Sequence, residues 1–168
     1  MQITKNNYHQ NKKINLSNTT FYIFLIGAAI YILSISIGLI INFSAEKLSD
    51  KANTILLSNQ TMNIQDIILE LKRRYLISYL VSALLIISFI VYSVLAKNRI
   101  RIGYGYCLIW AIVWLAVIVA PIILTKVYDV FYIINCMATA SIFIGMFLVV
   151  KDLYLHRELL RTKMARLK

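Results

Sequence analysis

The amino-acid sequence predicts an all-α integral membrane protein, built as an antiparallel bundle of four transmembrane helices. Three observations predict this fold class. Of the 168 residues, 60% are hydrophobic and the mean hydropathy is +0.74, above what is typical of a water-soluble domain. The apolar residues are concentrated in blocks of about 20 residues, the length that crosses a bilayer as a helix. Charged residues are absent from these blocks and cluster at their ends.

Each predicted span is free of Asp, Glu, Lys, Arg and His, which are costly in hydrocarbon. Together with their links the spans make up one transmembrane domain, residues 20–150. The first span is expected to remain as an uncleaved helix, because its 24 residues exceed the apolar core of a signal peptide. The spans are predicted at residues 20–43, 76–96, 102–125 and 130–150, with an outer loop at residues 44–75.

The distribution of Lys and Arg predicts that both termini lie in the cytoplasm. With four spans, the two tails and the turn after the second span share one side of the membrane. That side carries 12 of the 18 Lys and Arg residues. The opposite side carries six of them, and also five of the seven Asp and Glu residues. Because cytoplasmic segments near spans are rich in Lys and Arg, the N-in/C-in orientation is expected.

Two helical segments are predicted within the outer loop. The stretch AEKLSDKANTILL has apolar residues at helical spacing, which predicts a short amphipathic helix on the bilayer or on the other spans. Asn63 is a candidate N-cap for a second helix that begins near Ile64 and runs without a break to about Ala96. This helix would place the KRR triplet at the level of the outer headgroups.

Links of different length predict how the spans are arranged. The short links KNRIR and KVYD predict that the second, third and fourth spans form a tight up-down-up unit. The long outer loop leaves the first span less constrained than the others. We therefore expect the first span to be the one most available to a partner helix.

The two tails differ in character. Residues 1–19 are polar and rich in Asn and Lys, which predicts a mobile cytoplasmic tail. Residues 151–168 are predicted to continue the fourth span as a basic, amphipathic cytoplasmic helix, which either rests on anionic lipid or docks on a partner. The candidate lipid-headgroup contacts of the whole chain are Lys72, Arg73, Arg74, Lys97, Arg99, Arg101, Arg157 and Arg161.

No motif of the sequence predicts catalysis, a metal site or a cofactor, so the chain is not expected to be an enzyme. Cys107 and Cys136 lie inside predicted spans, outside any CxxC or zinc-binding pattern, and are expected to pack as small residues. Trp110 and Trp114 share one face of the third span and are also expected to pack. The net charge of +11 suits anionic lipid headgroups rather than nucleic acid, because the cations flank the spans.

Helix–helix contacts are the function that the spans themselves indicate. Gly27, Tyr31, Ser34 and Gly38 fall on one face of the first span, and small residues let helices approach closely in lipid. Asn135 lies in the middle of the fourth span, where an amide seeks a hydrogen-bond partner. These five residues are candidate contacts with a partner helix. Packing within the chain is the alternative for each of them.

The overall layout resembles the immunity proteins of pore-forming colicins. The shared features are four spans, both termini inside, a sizeable first outer loop and a basic C-terminal tail, while the very short link KVYD gives less outer loop than the resemblance leads us to expect. The resemblance implies a bacterial inner-membrane protein that meets the apolar helices of a toxin and prevents channel opening. Two other functions are left open, a subunit of a homo-oligomeric channel or transporter, and an accessory subunit of a larger membrane complex.

Overall fold

The computed structural model describes residues 14–58, 63–125 and 130–166, and this part of the chain contains five helices and no strand. The chain is therefore all-α over the residues described, as predicted. We number the helices in chain order. They are α1 (Asn18–Asn42), α2 (Ala45–Ser58), α3 (Ile64–Asn98), α4 (Tyr104–Thr125) and α5 (Val130–Arg166).

Three of the helices are long and apolar enough to cross a membrane. They comprise Asn18–Asn42, Ile64–Asn98 and Val130–Leu160, and Tyr104–Val119 forms a shorter apolar helix. These lengths support a membrane protein, as the sequence predicted. The membrane crossing of α4 and the orientation of the termini stay predictions. The predicted link KVYD lies outside the described residues.

Local sequence signals account for where the helices begin. The side chain of Ser17 caps α1 by accepting a hydrogen bond from the backbone N–H of Thr20, at 3.3 Å. The side chain of Asn63 caps α3 by accepting one from the N–H of Gln65, at 3.4 Å. Helix α3 begins at Ile64 and runs without a break past the predicted end, which confirms the prediction for this segment.

The amphipathic segment of the outer loop forms α2, and it lies on other helices. Leu48 and Ala52 are buried on one face of α2, which packs on α3 and touches the end of α1. Helix α5 continues the last apolar block to Arg166, so the basic C-terminal segment is helical as far as the structure describes it.

Helix α1 lies at the centre of the assembly, and this overturns the expectation that the first span is the least constrained. Its most extensive contacts are with α5, followed by those with α3. A Cβ atom built on Gly27 would lie 2.6 Å from Ser141 Oγ, and one built on Gly145 would lie 2.6 Å from the ring of Phe24. The two glycines thus allow the antiparallel helices α1 and α5 to approach closely. Loop length was a poor guide because loop closure entropy rises only slowly with length.

Aromatic side chains form the middle of the core. The ring of Phe89 packs edge-to-face against Phe24 (centroids 5.1 Å apart), Trp110 (4.9 Å) and Trp114 (5.4 Å). Tyr31 packs in the same way against Trp114, at 5.3 Å. These contacts join α1, α3 and α4 and confirm that the two tryptophans pack within the chain. We call Phe24, Tyr31, Phe89 and Trp114 the aromatic layer.

The chain before α1 is tied to the turn between α3 and α4. Ile14 and Ile102 form an isolated antiparallel β-bridge with N–H···O distances of 3.0 and 2.7 Å. The N–H of Leu16 donates to the carbonyl of Ala96 at 3.1 Å. Residues 14–19 of the predicted mobile tail are therefore in contact with the helices or part of α1. The first part of this tail, residues 1–13, lies outside the described residues.

Candidate functional site: a polar cleft between four helices

A cleft of about 260 Å³ opens between α1, α2, α3 and α5, at the end of the helices remote from the Ile14–Ile102 bridge. We call it the polar cleft, because nine of its thirteen lining residues carry hydroxyl, amide or ammonium groups. Its polar lining consists of Ser34, Asn42, Lys51, Tyr75, Ser78, Tyr79, Ser82, Tyr132 and Asn135, and Ile35, Gly38, Leu39 and Phe131 complete it.

Helical periodicity brings the polar residues of α3 into the cleft. Tyr75, Ser78, Tyr79 and Ser82 are three to four residues apart, so they lie along one face of the helix. The opposite face of α3 carries exposed Leu, Ile and Val side chains suited to lipid. The same helix therefore presents a polar face to the cleft and an apolar face to its surroundings.

Lys51 lies at the mouth of the cleft and is held there by neutral groups. Its Nζ donates hydrogen bonds to the hydroxyl of Tyr75 at 2.5 Å and to Oδ1 of Asn42 at 3.3 Å. Asn42 is itself fixed, since its Nδ2 donates to the carbonyl of Gly38 at 2.8 Å. No carboxylate is among the residues that line the cleft in the described structure. The mouth is thus a positively charged position without an acidic neighbour in the lining.

The floor of the cleft contains a buried amide oxygen with no partner. Oδ1 of Asn135 is inaccessible and makes no hydrogen bond to any of the residues described. The neighbouring Ser34 hydroxyl donates to the carbonyl of Phe131 at 3.4 Å, a long and weak bond. A buried carbonyl oxygen without a donor destabilises a protein by about 1–3 kcal/mol. In the described part of the chain, one other buried side-chain polar atom lacks a hydrogen-bond partner, namely Nε1 of Trp114 in the aromatic layer.

The cleft reaches deep into the packed helices and then stops. Asn42 and Ser34 are eight residues apart on α1, which corresponds to about 12 Å along the helix axis. One turn beyond Ser34 lies Tyr31, the first member of the aromatic layer, whose Phe24, Phe89 and Trp114 are almost completely buried. The cleft is therefore closed at its floor by packed rings.

The five residues predicted as partner contacts are only partly brought together. Ser34, Gly38 and Asn135 line the polar cleft. Gly27 packs on Ser141 instead, and Tyr31 belongs to the aromatic layer. The small-residue face of α1 is thus covered by α5 within this chain, which is the alternative that the sequence left open for it. Gly27 and Tyr31 are buried within this chain, so they do not form a surface that a second protein could contact.

The predicted headgroup contacts flank the apolar blocks, mostly as exposed side chains. Arg74 pairs with Glu70 at 2.6 Å, and this hydrogen-bonded guanidinium lowers the pKa of the Glu70 carboxyl below its usual value. Lys97 Nζ lies over the ring of Phe21, 4.4 Å from its centroid. The side chain of Arg161 lies outside the described part. The remaining ones, all exposed, are Lys72, Arg73, Arg99, Arg101 and Arg157.

Sequence reasoning identified only three of the thirteen residues that line the cleft, namely Ser34, Gly38 and Asn135. Ser78 and Ser82 were not among the predicted contacts, and Lys51 was placed only within the predicted amphipathic helix of the outer loop, with no role in a site. A period of hydroxyl-bearing residues on α3, from Tyr75 to Ser82, was visible in the sequence and marks this face. Comparison of the chain with family models, with curated proteins and with solved structures found no match.

Proposed function

We propose that this chain is a non-enzymatic membrane protein that recognises a helix of another membrane protein within the bilayer, through the polar cleft. The observation that carries the proposal is Oδ1 of Asn135, buried in the cleft without a hydrogen-bond partner in the described structure. An amide or hydroxyl side chain of a partner helix that inserts into the cleft would bond to this oxygen once the side chains that cover it move aside. Such bonds contribute about 0.6–2 kcal/mol between transmembrane helices.

The proposed topology has four spans with both termini in the cytoplasm. Helix α4 supports the third of these four spans, since its 22 apolar-rich residues correspond to about 33 Å, close to the hydrocarbon thickness. The excess of Lys and Arg at the tails and at the turn after α3 supports the orientation. In this orientation the polar cleft opens toward the outer face, and the Ile14–Ile102 bridge lies on the cytoplasmic side.

As the specific identity we propose an immunity protein against a pore-forming bacteriocin, in a bacterial inner membrane. The layout of the spans supports it, and so does a cleft that would face the side from which toxin helices insert. Deleting the gene in the native host and exposing the cells to the host's own bacteriocin is the test. We expect the membrane to depolarise, as measured with a potential-sensitive dye, and survival to fall. Unchanged potential and survival in the deletion strain would overturn this identity.

A channel or transporter subunit is the second candidate, and the cleft is the feature that favours it. A polar cleft of this size is large enough to hold water, and it leads partway through the helices. The aromatic layer closes its floor, so a conducting path would have to run between copies of the chain. Single-channel recording of the reconstituted protein separates the two candidates, because the recognition protein gives no conductance. A stoichiometric partner that co-purifies in mild detergent would identify an accessory subunit instead.

A further inference from the structure

A second groove, of about 440 Å³, lies beside the turn that joins α3 to α4. We call it the turn groove, and the lining residues used below are Tyr92, Arg101, Gly105, Tyr106, Ile109 and Trp110. It lies at the opposite end of the helices from the polar cleft, so the proposed function makes no use of it.

The lining of the turn groove changes in character along its length. Arg101 lies at the rim, at the end of the helices, and is exposed. Away from the rim the walls are the exposed side chains of Tyr92 and Ile109 and the half-buried ring of Trp110. No acidic residue lines this groove in the part of the chain described. One cation at the membrane surface above an apolar and aromatic wall matches an anionic headgroup above an acyl chain.

We propose that the turn groove binds one anionic phospholipid, with Arg101 on the phosphate and the start of an acyl chain along Ile109 and Trp110. The planar guanidinium forms paired hydrogen bonds to phosphate oxygens, which a lysine does not. The aromatic rings suit the region where headgroup meets hydrocarbon. A free phosphate ion would leave the apolar wall uncovered, so the lipid is the occupant that fits the whole groove.

The groove is held in shape by contacts on both sides. The hydroxyl of Tyr106 is hydrogen-bonded to Ser93 Oγ at 3.1 Å, and its ring stacks on Tyr92 with centroids 6.2 Å apart. Ile102, the residue after Arg101, forms the β-bridge with Ile14, and this bridge holds the backbone at the rim in place. These contacts orient the wall before a ligand arrives, which lowers the entropy lost on binding.

Gly105 keeps the groove open and supplies a way to block it. A Cβ atom built on Gly105 would meet no atom within 4 Å, so a larger side chain fits there without a clash with the backbone. Leucine at this position would fill part of the groove while leaving every charge in place. The substitution therefore separates binding in the groove from general attraction of anionic lipid to the basic turn.

Trp110 allows the proposal to be tested by fluorescence quenching. The full-length protein is reconstituted in phosphatidylcholine vesicles that contain a minority of brominated phosphatidylglycerol or, in parallel, the same amount of brominated phosphatidylcholine. The variant Trp110→Phe, which keeps only the buried Trp114, gives the background. We expect brominated phosphatidylglycerol to reach Trp110 with about a fivefold preference, as for one cation at the surface of an anionic membrane. Symmetric vesicles make the result independent of orientation.

Three variants decide whether the groove is the site. Arg101→Gln and Gly105→Leu should both abolish the preference, while Arg99→Gln should retain most of it, since Arg99 carries the same charge two residues away but does not line the groove. Equal losses in Arg99→Gln and Arg101→Gln, or an unchanged preference in Gly105→Leu, would overturn the proposal in favour of diffuse attraction. Competition by inorganic phosphate would overturn it in favour of a free-anion site. Helical circular dichroism confirms that each variant is folded.

Discussion

Lys51 donates a hydrogen bond to the hydroxyl of Tyr75 at 2.5 Å, and this bond ties the short helix α2 to α3. The residues lie on separate helices of a segment that the sequence assigned to an outer loop. The bond brings a cation to the mouth of the polar cleft, where Asn42 is its second acceptor. The loop is thereby part of the site, and its closure on α3 sets the shape of the cleft.

Replacing Lys51 with Met should loosen α2. The variant loses two hydrogen bonds from a charged donor, each of which contributes about 1.5–3 kcal/mol. We expect faster amide hydrogen exchange over Ala45–Ser58, with α5 unchanged. The matched control is Lys47→Met, which removes the same charge from an exposed position of α2. Equal exchange in the two variants would show that the Lys51 contacts do not hold the helix.

Gly27 and Gly38 should respond oppositely to alanine, although both lie on the buried face of α1. In Gly27→Ala the new Cβ would lie 2.6 Å from Ser141 Oγ and 2.8 Å from Ile142 Cγ1, so we expect destabilisation by about 1–3 kcal/mol. In Gly38→Ala the nearest atom belongs to Phe131, at 3.7 Å, an ordinary contact. We expect the stability of this variant to equal that of the wild type or to exceed it slightly. Unfolding of both by titration with dodecyl sulfate, followed by circular dichroism, measures the difference, and equal midpoints would contradict the α1–α5 packing.

Phe89 should be the most sensitive aromatic position of the core. It is fully buried and contacts the rings of three other residues, so Phe89→Ala should lower the free energy of unfolding by about 3–5 kcal/mol. The control is Phe147→Ala on α5, where 70% of the residue is exposed. Truncating this exposed ring should change the free energy of unfolding only slightly. The same unfolding titration measures both variants. Similar losses of stability in Phe89→Ala and Phe147→Ala would show that the aromatic layer is not the centre of the core.

The ion pair of Glu70 and Arg74 predicts a small effect of pH at the start of α3. Because Arg74 lowers the pKa of Glu70, the pair stabilises the helix above the usual pKa of a glutamate, near 4.3, and this contribution is lost as the pH falls through the lowered value. Both side chains are well exposed, so solvent screens the effect. In Arg74→Gln the pKa of Glu70 should return toward its usual value. A carbon-13 titration of the Glu70 carboxyl in micelles measures it, and an unchanged pKa would contradict the pairing.

Helix boundaries were predictable because their signals are local. Asn63 marks the start of α3 by capping, and the spacing of Leu48 and Ala52 marks the buried face of α2. The central place of α1 was not predictable, because it depends on the fit between Gly27 and Ser141 on distant segments. The small residues of α1 indicated that it packs closely against another helix, but composition does not identify which helix that is.

Some residues of the candidate site could likewise be identified from the sequence, and others could not. Asn135 was identified from the sequence, since an amide is unusual in an apolar span. Lys51 was not, because its role arises from the fold of the outer loop against Tyr75. The turn groove could not be predicted either. The sequence GYGY at residues 103–106 shows that Gly105 has no side chain, but it does not show that the space beside Gly105 is empty.

Asn135→Leu tests most directly whether the polar cleft recognises a partner. Removing a buried oxygen without a hydrogen-bond partner in the described structure should leave the isolated protein as stable as before, or more stable by about 1 kcal/mol. The measurement is depolarisation of bacteriocin-treated cells in which each variant replaces the native gene. Met137→Leu, at an exposed position of the same helix, is the control. We predict that the control protects the cells and that Asn135→Leu, equally abundant and folded, does not; full protection by Asn135→Leu would contradict recognition through this cleft.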